Sequence, residues 1–391
     1  MRRGDLAKDV GARLRRLPAP HDSHFGVVPL PPPTHSIALG PALASVEAAQ
    51  RAMVEVATIA QELKDPFLVS RILTRKEALS SSAIEGTHST LDELLSLEED
   101  GADGTSSPTR QVRDYAATLE GVVPRAQRDG PAVFSMDLVR ELHRNSMRSD
   151  PDYADVPGKL RERVIWIGGT GHIATSTYNP PPPDAVPQCL EENVDYMRCD
   201  GMQAMTQGLI TRMAIAHAHF EAVHPFRDGN GRVGRLLLPL MMAADGSVPL
   251  YLSPYIEANK TNYYEALKAA QQRLDWPSMA GFMADAMTGT VAEIKRTRTD
   301  LAALRENWRT RRSFRADSAA LKALQLLHEY PIVTIGRLQQ LLGVSFPSAS
   351  SAVRQMVDVG VLTERTGYKR NRLFAAEEVI QIGRASCRER V

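Results

Sequence analysis

The sequence predicts a mainly α-helical fold with one short β insertion and a smaller C-terminal region of mixed helices and strands. Three observations predict it. Long stretches repeat apolar residues at helical spacing with few breakers, as in ALASVEAAQRAMVEVATIAQEL and GLITRMAIAHAHFEAV. A single strand-like run, VIWIGG, interrupts them near the middle. After about residue 316 the chain changes to short helical patterns followed by two strand-like ones. At 391 residues the chain suggests two or three domains. Its 43% hydrophobic and 24% charged residues suit a globular protein. A net charge of +1 gives no bulk field favouring nucleic acid or membrane.

Taken in order, residues 1–36 end in PLPPPTHS and read as an extended arm stiffened by proline. Residues 37–110 read as an N-terminal helical region closed by the loop-forming EDGADGTSSPT. Residues 111–300 form the largest block. Helical patterns at VRDYAATLEGVV and MDLVRELHRNSMR precede the strand-like Val164, Ile165, Trp166 and Ile167, which end at Gly168. Helices resume at DAVPQCLEENVDYM, and GRVGRLLLPLMMAADG is apolar nearly all round, which predicts a buried helix. Residues 301–381 follow a basic linker helix with the order helix, helix, turn, helix, strand, basic turn, strand, which is that of a winged helix-turn-helix. The last ten residues, IGRASCRERV (382–391), resemble the translation of a sequencing adapter and are expected to be foreign to the natural chain.

The stretch HPFRDGNGRVGR, His224 to Arg235, carries the chemistry. Gly229 and Gly231 flank Asn230 and permit positive φ. A turn of this kind at the start of a helix aims backbone N–H groups into one concavity, where the helix dipole also favours an anion. Arg232 and Arg235 lie three apart, on one helix face, and can clamp further phosphate oxygens. A carboxylate beside that anion site, Asp228, calls for a bridging cation, and Mg²⁺ is the natural choice. His224 is the side chain suited to take a proton near neutral pH.

These residues match, at every fixed position, the signature H-x-F-x-D/E-G-N-G-R-x-x-R, and the chain resembles the Fic-domain adenylyltransferases. The resemblance implies a Fic-type helical core with a small β-hairpin flap. It implies that His224 deprotonates a Ser, Thr or Tyr hydroxyl on a target protein, which attacks the α-phosphorus of ATP. Asp228 would hold Mg²⁺; Gly229, Asn230 and Gly231 would form the anion nest, and Arg232 and Arg235 would hold the β- and γ-phosphates. SSAIEG, with Ser81, Glu85 and Gly86, resembles the family's inhibitory helix, whose glutamate here would pair with Arg235. Residues Val164 to Gly168, with the later Tyr178–Pro183, resemble the flap that pairs with the target segment by main-chain hydrogen bonds, and the preceding GKLR, Gly158–Arg161, also fits the family pattern. Tyr263 and Tyr264 fall where the family packs groups near the adenine, and at helical spacing they read equally well as core.

Competing patterns fail on context. Gly169, Gly171 and Ala174 spell a dinucleotide fingerprint, but TSTYNPPPP cannot supply the helix that must follow. There is no P-loop, and His217 and His219 point to opposite sides of a helix without the spacing of a zinc site. Cys189, Cys199 and Cys387 form no disulfide framework, so a reducing, cytoplasmic setting is expected. The basic N-terminus lacks the apolar run of a signal peptide, and no membrane span is expected. The winged helix, with Arg354, Arg365, Lys369, Arg370 and Arg372, leaves DNA contact and protein interaction both open, and the resemblance allows a homodimer. The leading reading is an autoinhibited adenylyltransferase of proteins. The alternatives are a DNA-binding regulator with a nucleotide-sensing Fic fold, or a Fic enzyme that transfers another nucleotide or removes AMP.

Overall fold

The structure is a computed structural model that describes residues 1–62, 70–100, 106–202, 206–367 and 372–388. It divides into two compact units, residues 1–59 with 117–290, and residues 60–116 with 291–391.

The first unit opens with α1 (Lys8–Gly11), β1 (Leu14–Arg16) and β2 (Phe25–Val27), the strands pairing antiparallel with Leu14 opposite Val27. The sequence reading of residues 1–36 as an arm is corrected here. Val10, Leu17 and Val27 are buried, and the Val27 N–H donates to the Asn179 carbonyl at 2.9 Å. Each element is only three or four residues long, too short to show a period, so the prolines dominated the local signal. Gly26 is required there, since a Cβ would stand 2.3 Å from the Pro180 carbonyl oxygen.

Next come α2 (Leu43–Glu62), α3 (Ser70–Ile84), α4 (Leu91–Asp100) and α5 (Ser107–Asp129), where helical periodicity predicts helices. Of the predicted loop, residues 101–105 lie outside the described residues, and Ser107 already begins α5. The first unit continues with α6 (Met136–Ser146), α7 (Val186–Met197), α8 (Leu209–Val223) and α9 (Asn230–Ala244). α6 starts from a Ser135 side chain that accepts the Leu138 N–H, a local N-cap. It turns Leu138, Val139, Leu142, His143 and Ser146 inward. α8 is buried from Ile210 to Val223 save Arg212, and α9 is buried nearly throughout, so these two form the centre of the core. α10 (Ser253–Ala258), α11 (Lys260–Arg273) and the 35-residue α12 (Trp276–Thr310) complete the run.

Between α6 and α7 the predicted strand shrinks. Val164, Ile165 and Trp166 have no strand partner among the described residues, and pairing reduces to one antiparallel bridge between Ile167 and Tyr178. The Ile167 N–H donates to the Tyr178 carbonyl at 2.9 Å. A half-buried β-branched run has strand propensity, but a strand needs a neighbour to take its backbone groups.

In the second unit, α13 (Ala319–Leu326) is followed by β3 (Ile332–Thr334), α14 (Ile335–Leu342), α15 (Phe346–Asp358), β4 (Thr363–Glu364), β5 (Leu373–Ala375) and α16 (Glu377–Arg388). The strands form an antiparallel sheet in the order β3-β5-β4. Sequence reading missed β3, a three-residue IVT run directly before the Thr334 side chain that caps α14. It also cut the chain at residue 300, whereas α3 and α4 group with the C-terminal elements. Leu91 and Leu95 of α4 pack with Ile332, Leu373, Ala375 and Ile380, and Arg365 pairs with Asp92 and Glu377. The contacts made by α4 span more than two hundred residues, beyond the reach of local pattern.

Candidate functional site

The motif is a loop joining the end of α8 to the start of α9, and the two ends are set by left-handed backbone. His224 caps α8 at φ 48°, ψ 64°, with its N–H donating to the Phe220 carbonyl at 2.9 Å. A non-glycine residue there is uncommon, and such positions persist only where the surroundings hold them. Gly229 caps α9 at φ 75°. A Cβ on Gly229 would lie 2.6 Å from the Met147 sulfur, so glycine is demanded twice over.

Between these ends the loop is tied from within and without. The Asn230 carboxamide accepts the Phe226 N–H at 2.8 Å and donates to the Phe226 carbonyl at 2.9 Å. Phe226 is fully buried and stacks on His143 with ring centroids 3.8 Å apart. His143 Nδ1 accepts the Gly158 N–H at 2.8 Å, which leaves Nε2–H to donate to the Asp228 carbonyl at 3.0 Å. Burial pulls the His143 pKa down to about 4, so it bridges as a neutral ring. Arg161 reaches the same loop from the other side. Its Nε donates to the His224 carbonyl at 2.7 Å and its backbone N–H to the Pro225 carbonyl at 2.9 Å. Burial lowers the guanidinium only to about 10, and it stays charged at neutral pH.

His224 is half-buried, and its Nδ1 lies 3.2 Å from the Glu221 carbonyl oxygen. A carbonyl only accepts, so Nδ1 carries the proton and the neutral ring keeps its basic lone pair on Nε2. Asp228 is exposed; its Oδ1 accepts the Gly229 N–H at 2.6 Å. The Gly229 amide, assigned from sequence to the anion nest, donates to Asp228 in this structure, and its positive φ makes the turn. The first-turn amides of α9, Asn230 to Arg232, point along the axis without intrahelical acceptors. Arg232 and Arg235 are buried in the first two turns of α9, with Arg232 Nη2 3.5 Å from an Asp150 oxygen.

Among the remaining sequence-predicted positions, Tyr263 is 1% exposed, and its hydroxyl donates to His217 Nε2 at 2.7 Å, which makes it core. Its neighbour Tyr264 is 46% exposed on α11. His217 donates from Nδ1 to the Gly234 carbonyl at 3.1 Å; burial, with the charge of Arg235 beside it, pulls its pKa to about 3. Burial also pushes the Cys189 thiol up to about 11, which makes it inert. In the second unit, Ser81 is buried in the last turn of α3, Glu85 is exposed just past the helix end, and Gly86 turns the chain at φ 84°.

Sequence reasoning missed His143, Asp150, Glu221 and Gly234. Only Arg161 carried a signal, through its place in GKLR. His143 sits at a helix-core position that any apolar residue could occupy, and its partners are main-chain atoms.

The family model described as Fic/DOC family matches residues 133–242, and the Fic/DOC family N-terminal model matches residues 43–123. The "Protein adenylyltransferase fic-1" of Caenorhabditis briggsae is 36% identical over 138 residues, which is 35% of this chain and 24% of that protein. The "Probable protein adenylyltransferase" of Aquifex aeolicus is 28% identical over 204 residues, 51% of this chain and 56% of that one. The chain thus spans about a quarter and about half the length of these curated relatives. A crystal structure of a Fic family protein from Desulfovibrio desulfuricans G20 superposes with a TM-score of 0.55 at 21% identity, covering 88% of this chain and 98% of that one, a likeness of fold.

Proposed function

We propose that this chain, which carries the Fic/DOC family domain and that family's N-terminal region, is a protein adenylyltransferase. It moves AMP from ATP to a Ser, Thr or Tyr hydroxyl of a target protein, itself included. One observation carries the reading. A histidine whose lone pair is set on Nε2 and a helix N-terminus lined by two buried arginines stand at opposite ends of one rigid loop.

In this reading the triphosphate meets the first-turn amides of α9, with Arg232 and Arg235 taking oxygens of the leaving pyrophosphate. The target hydroxyl gives its proton to His224 Nε2 as its oxygen bonds to the α-phosphorus. The bond from that phosphorus to the bridging oxygen breaks, and pyrophosphate departs. Asp228 fits Mg²⁺ in the way that ion is commonly held, by one carboxylate and the substrate's own phosphates. Its Oδ1 braces Gly229 and its second oxygen remains for the cation. No cluster of three or more His, Cys, Asp or Glu ligands forms among the described residues, and this arrangement needs none. When bound, the ion supplies charge neutralisation to the phosphates. Tyr264 is the tyrosine of its pair that can meet a nucleotide base. The unpartnered backbone of Val164 to Trp166 suits main-chain pairing with an extended target segment.

Glu85 is assigned the role of brake. A carboxylate that binds Arg235 in a bidentate fork removes that guanidinium from phosphate binding. The winged-helix reading of residues 301–381 is supported by three helices and two C-terminal strands in the order read from sequence, with β3 added to their sheet. DNA contact is the weaker role for it. Arg365 is committed to Asp92 and Glu377 and Arg372 to Glu364, while Lys369 and Arg370 lie outside the described residues.

The test is incubation of the Glu85→Gly form with α-labelled ATP and Mg²⁺, followed by mass spectrometry. Covalent AMP should rise well above wild type, and His224→Ala should lower it roughly 10²–10⁴-fold. An equal signal in the His224→Ala protein refutes the reading.

A further inference from the structure

A second carboxylate stands at the motif and has no place in the signature. Glu221 lies one helical turn before His224 on α8, is 7% exposed, and brings Oε2 to 3.6 Å from His224 Nδ1. Its own carbonyl oxygen already receives that nitrogen at 3.2 Å, so the main chain and side chain of one residue face the same edge of the imidazole. Burying a carboxylate is costly. The fold makes room for this one. Gly234 of α9 faces it, and a Cβ there would stand 2.4 Å from Glu221 Oε1, 3.2 Å from His217 Cε1 and 3.2 Å from Phe220 Cδ1. An otherwise buried, apolar helix thus carries a glycine at the place where the carboxylate enters, despite the helix propensity lost.

We propose that Glu221 is a positioning residue for His224: its carboxylate faces the Nδ1–H edge of the ring and stabilises the imidazolium formed when Nε2 takes the hydroxyl proton. Resting on the transferase reading above, this assigns a second function to the helix that presents the base. The logic is that of any base oriented by a third group. The carbonyl alone can fix the tautomer, but only a negative charge stabilises the ring once it is cationic. Arg161, also at this turn, binds the His224 carbonyl through its Nε. Gly234 is the slot that keeps the carboxylate in reach.

The experiment compares Glu221→Gln, Glu221→Asp and Gly234→Ala, each in the Glu85→Gly background, with and without His224→Ala. Glu221→Gln should lower kcat roughly ten- to a hundred-fold, a part of the whole general-base effect, with KM for ATP little changed. NMR titration of the His224 ring, in the absence of nucleotide, should show its pKa falling by about one unit when the carboxylate is removed. Glu221→Asp keeps the charge at a greater distance and should fall between. Gly234→Ala should imitate Glu221→Gln by displacing the carboxylate. Adding Glu221→Gln to His224→Ala should cost nothing further.

An unmoved titration with unchanged kcat overturns the proposal, as does an additive loss in the double variant. Should Glu221→Gln fail to fold, an unchanged kcat in Glu221→Asp is decisive against it. The titration requires no AMP transfer, so failure of the transferase reading is seen separately, in the His224→Ala control.

Discussion

His143 shows how much of a loop can rest on one buried side chain. It joins the Gly158 N–H to the Asp228 carbonyl and stacks under Phe226, so one neutral ring holds the turn between His224 and Asp228. His143→Phe preserves the ring stack and deletes both hydrogen bonds. Leaving the buried Gly158 N–H unpaired and releasing the partly exposed Asp228 carbonyl should cost about 1–3 kcal/mol. Chemical denaturation should record that loss, and AMP transfer should fall with it. Asn230 works in the same manner from the other side, its carboxamide clasping both polar atoms of the Phe226 backbone. The motif made Asn230, Asp228 and His224 legible because their types and spacing are tied to chemistry. His143 was hidden because its partners are main-chain groups far away in sequence.

At the scale of elements, α3 is held by charge as well as by apolar contact. Its TRKE run is buried, with Arg75 pairing to Glu98 of α4, Glu77 accepting the Tyr115 hydroxyl at 3.1 Å, and Lys76 meeting Glu293 of α12 at 2.8 Å. Both members of the last pair are deeply buried, with side-chain exposures of 3% and 7%. Removing one partner takes this pairing from a charge that stays in a poor solvent. Lys76→Met should cost about 3–5 kcal/mol, and the double replacement Lys76→Met, Glu293→Leu should recover most of it, as read from urea midpoints. α3 ends at the Ser81–Gly86 turn and α4 lies on the small C-terminal sheet, so the proposed brake and that sheet belong to one packed unit. Helical spacing revealed α3 and α4 as helices. Their grouping with β3 and β5 follows from side-chain complementarity across distant segments, which no local period encodes.

Across the whole chain, four histidines are buried and held neutral. Burial takes His143 and His328 to about 4, and His217 and His219 to about 3. Each lies below the ordinary value of 6.5, so the unfolded chain binds more protons than the folded one between the two values. Stability is complete above about 6.5 and drains as the pH falls towards those depressed values. The thermal midpoint should therefore drop by several degrees between about pH 7.5 and about pH 5.5, before the carboxylates titrate. An unchanged midpoint would mean that these rings become charged in place. Among the described residues no helix is long and apolar enough to cross a membrane, as hydropathy predicts.

The sequence by itself determined the helical class and the position of the motif, because helix periodicity and the glycine-flanked turn are local properties of a chain. It drew attention to His224, Asp228 and the arginines for the same reason, since residue type and spacing are local. Only the tertiary structure decided that residues 1–27 fold onto the core, that the β insertion pairs through a single bridge, and that α3 and α4 join the C-terminal sheet. It alone set Glu221 against His224 through the gap at Gly234. Those outcomes depend on which surfaces fit one another in three dimensions, and packing is a property of pairs of distant segments.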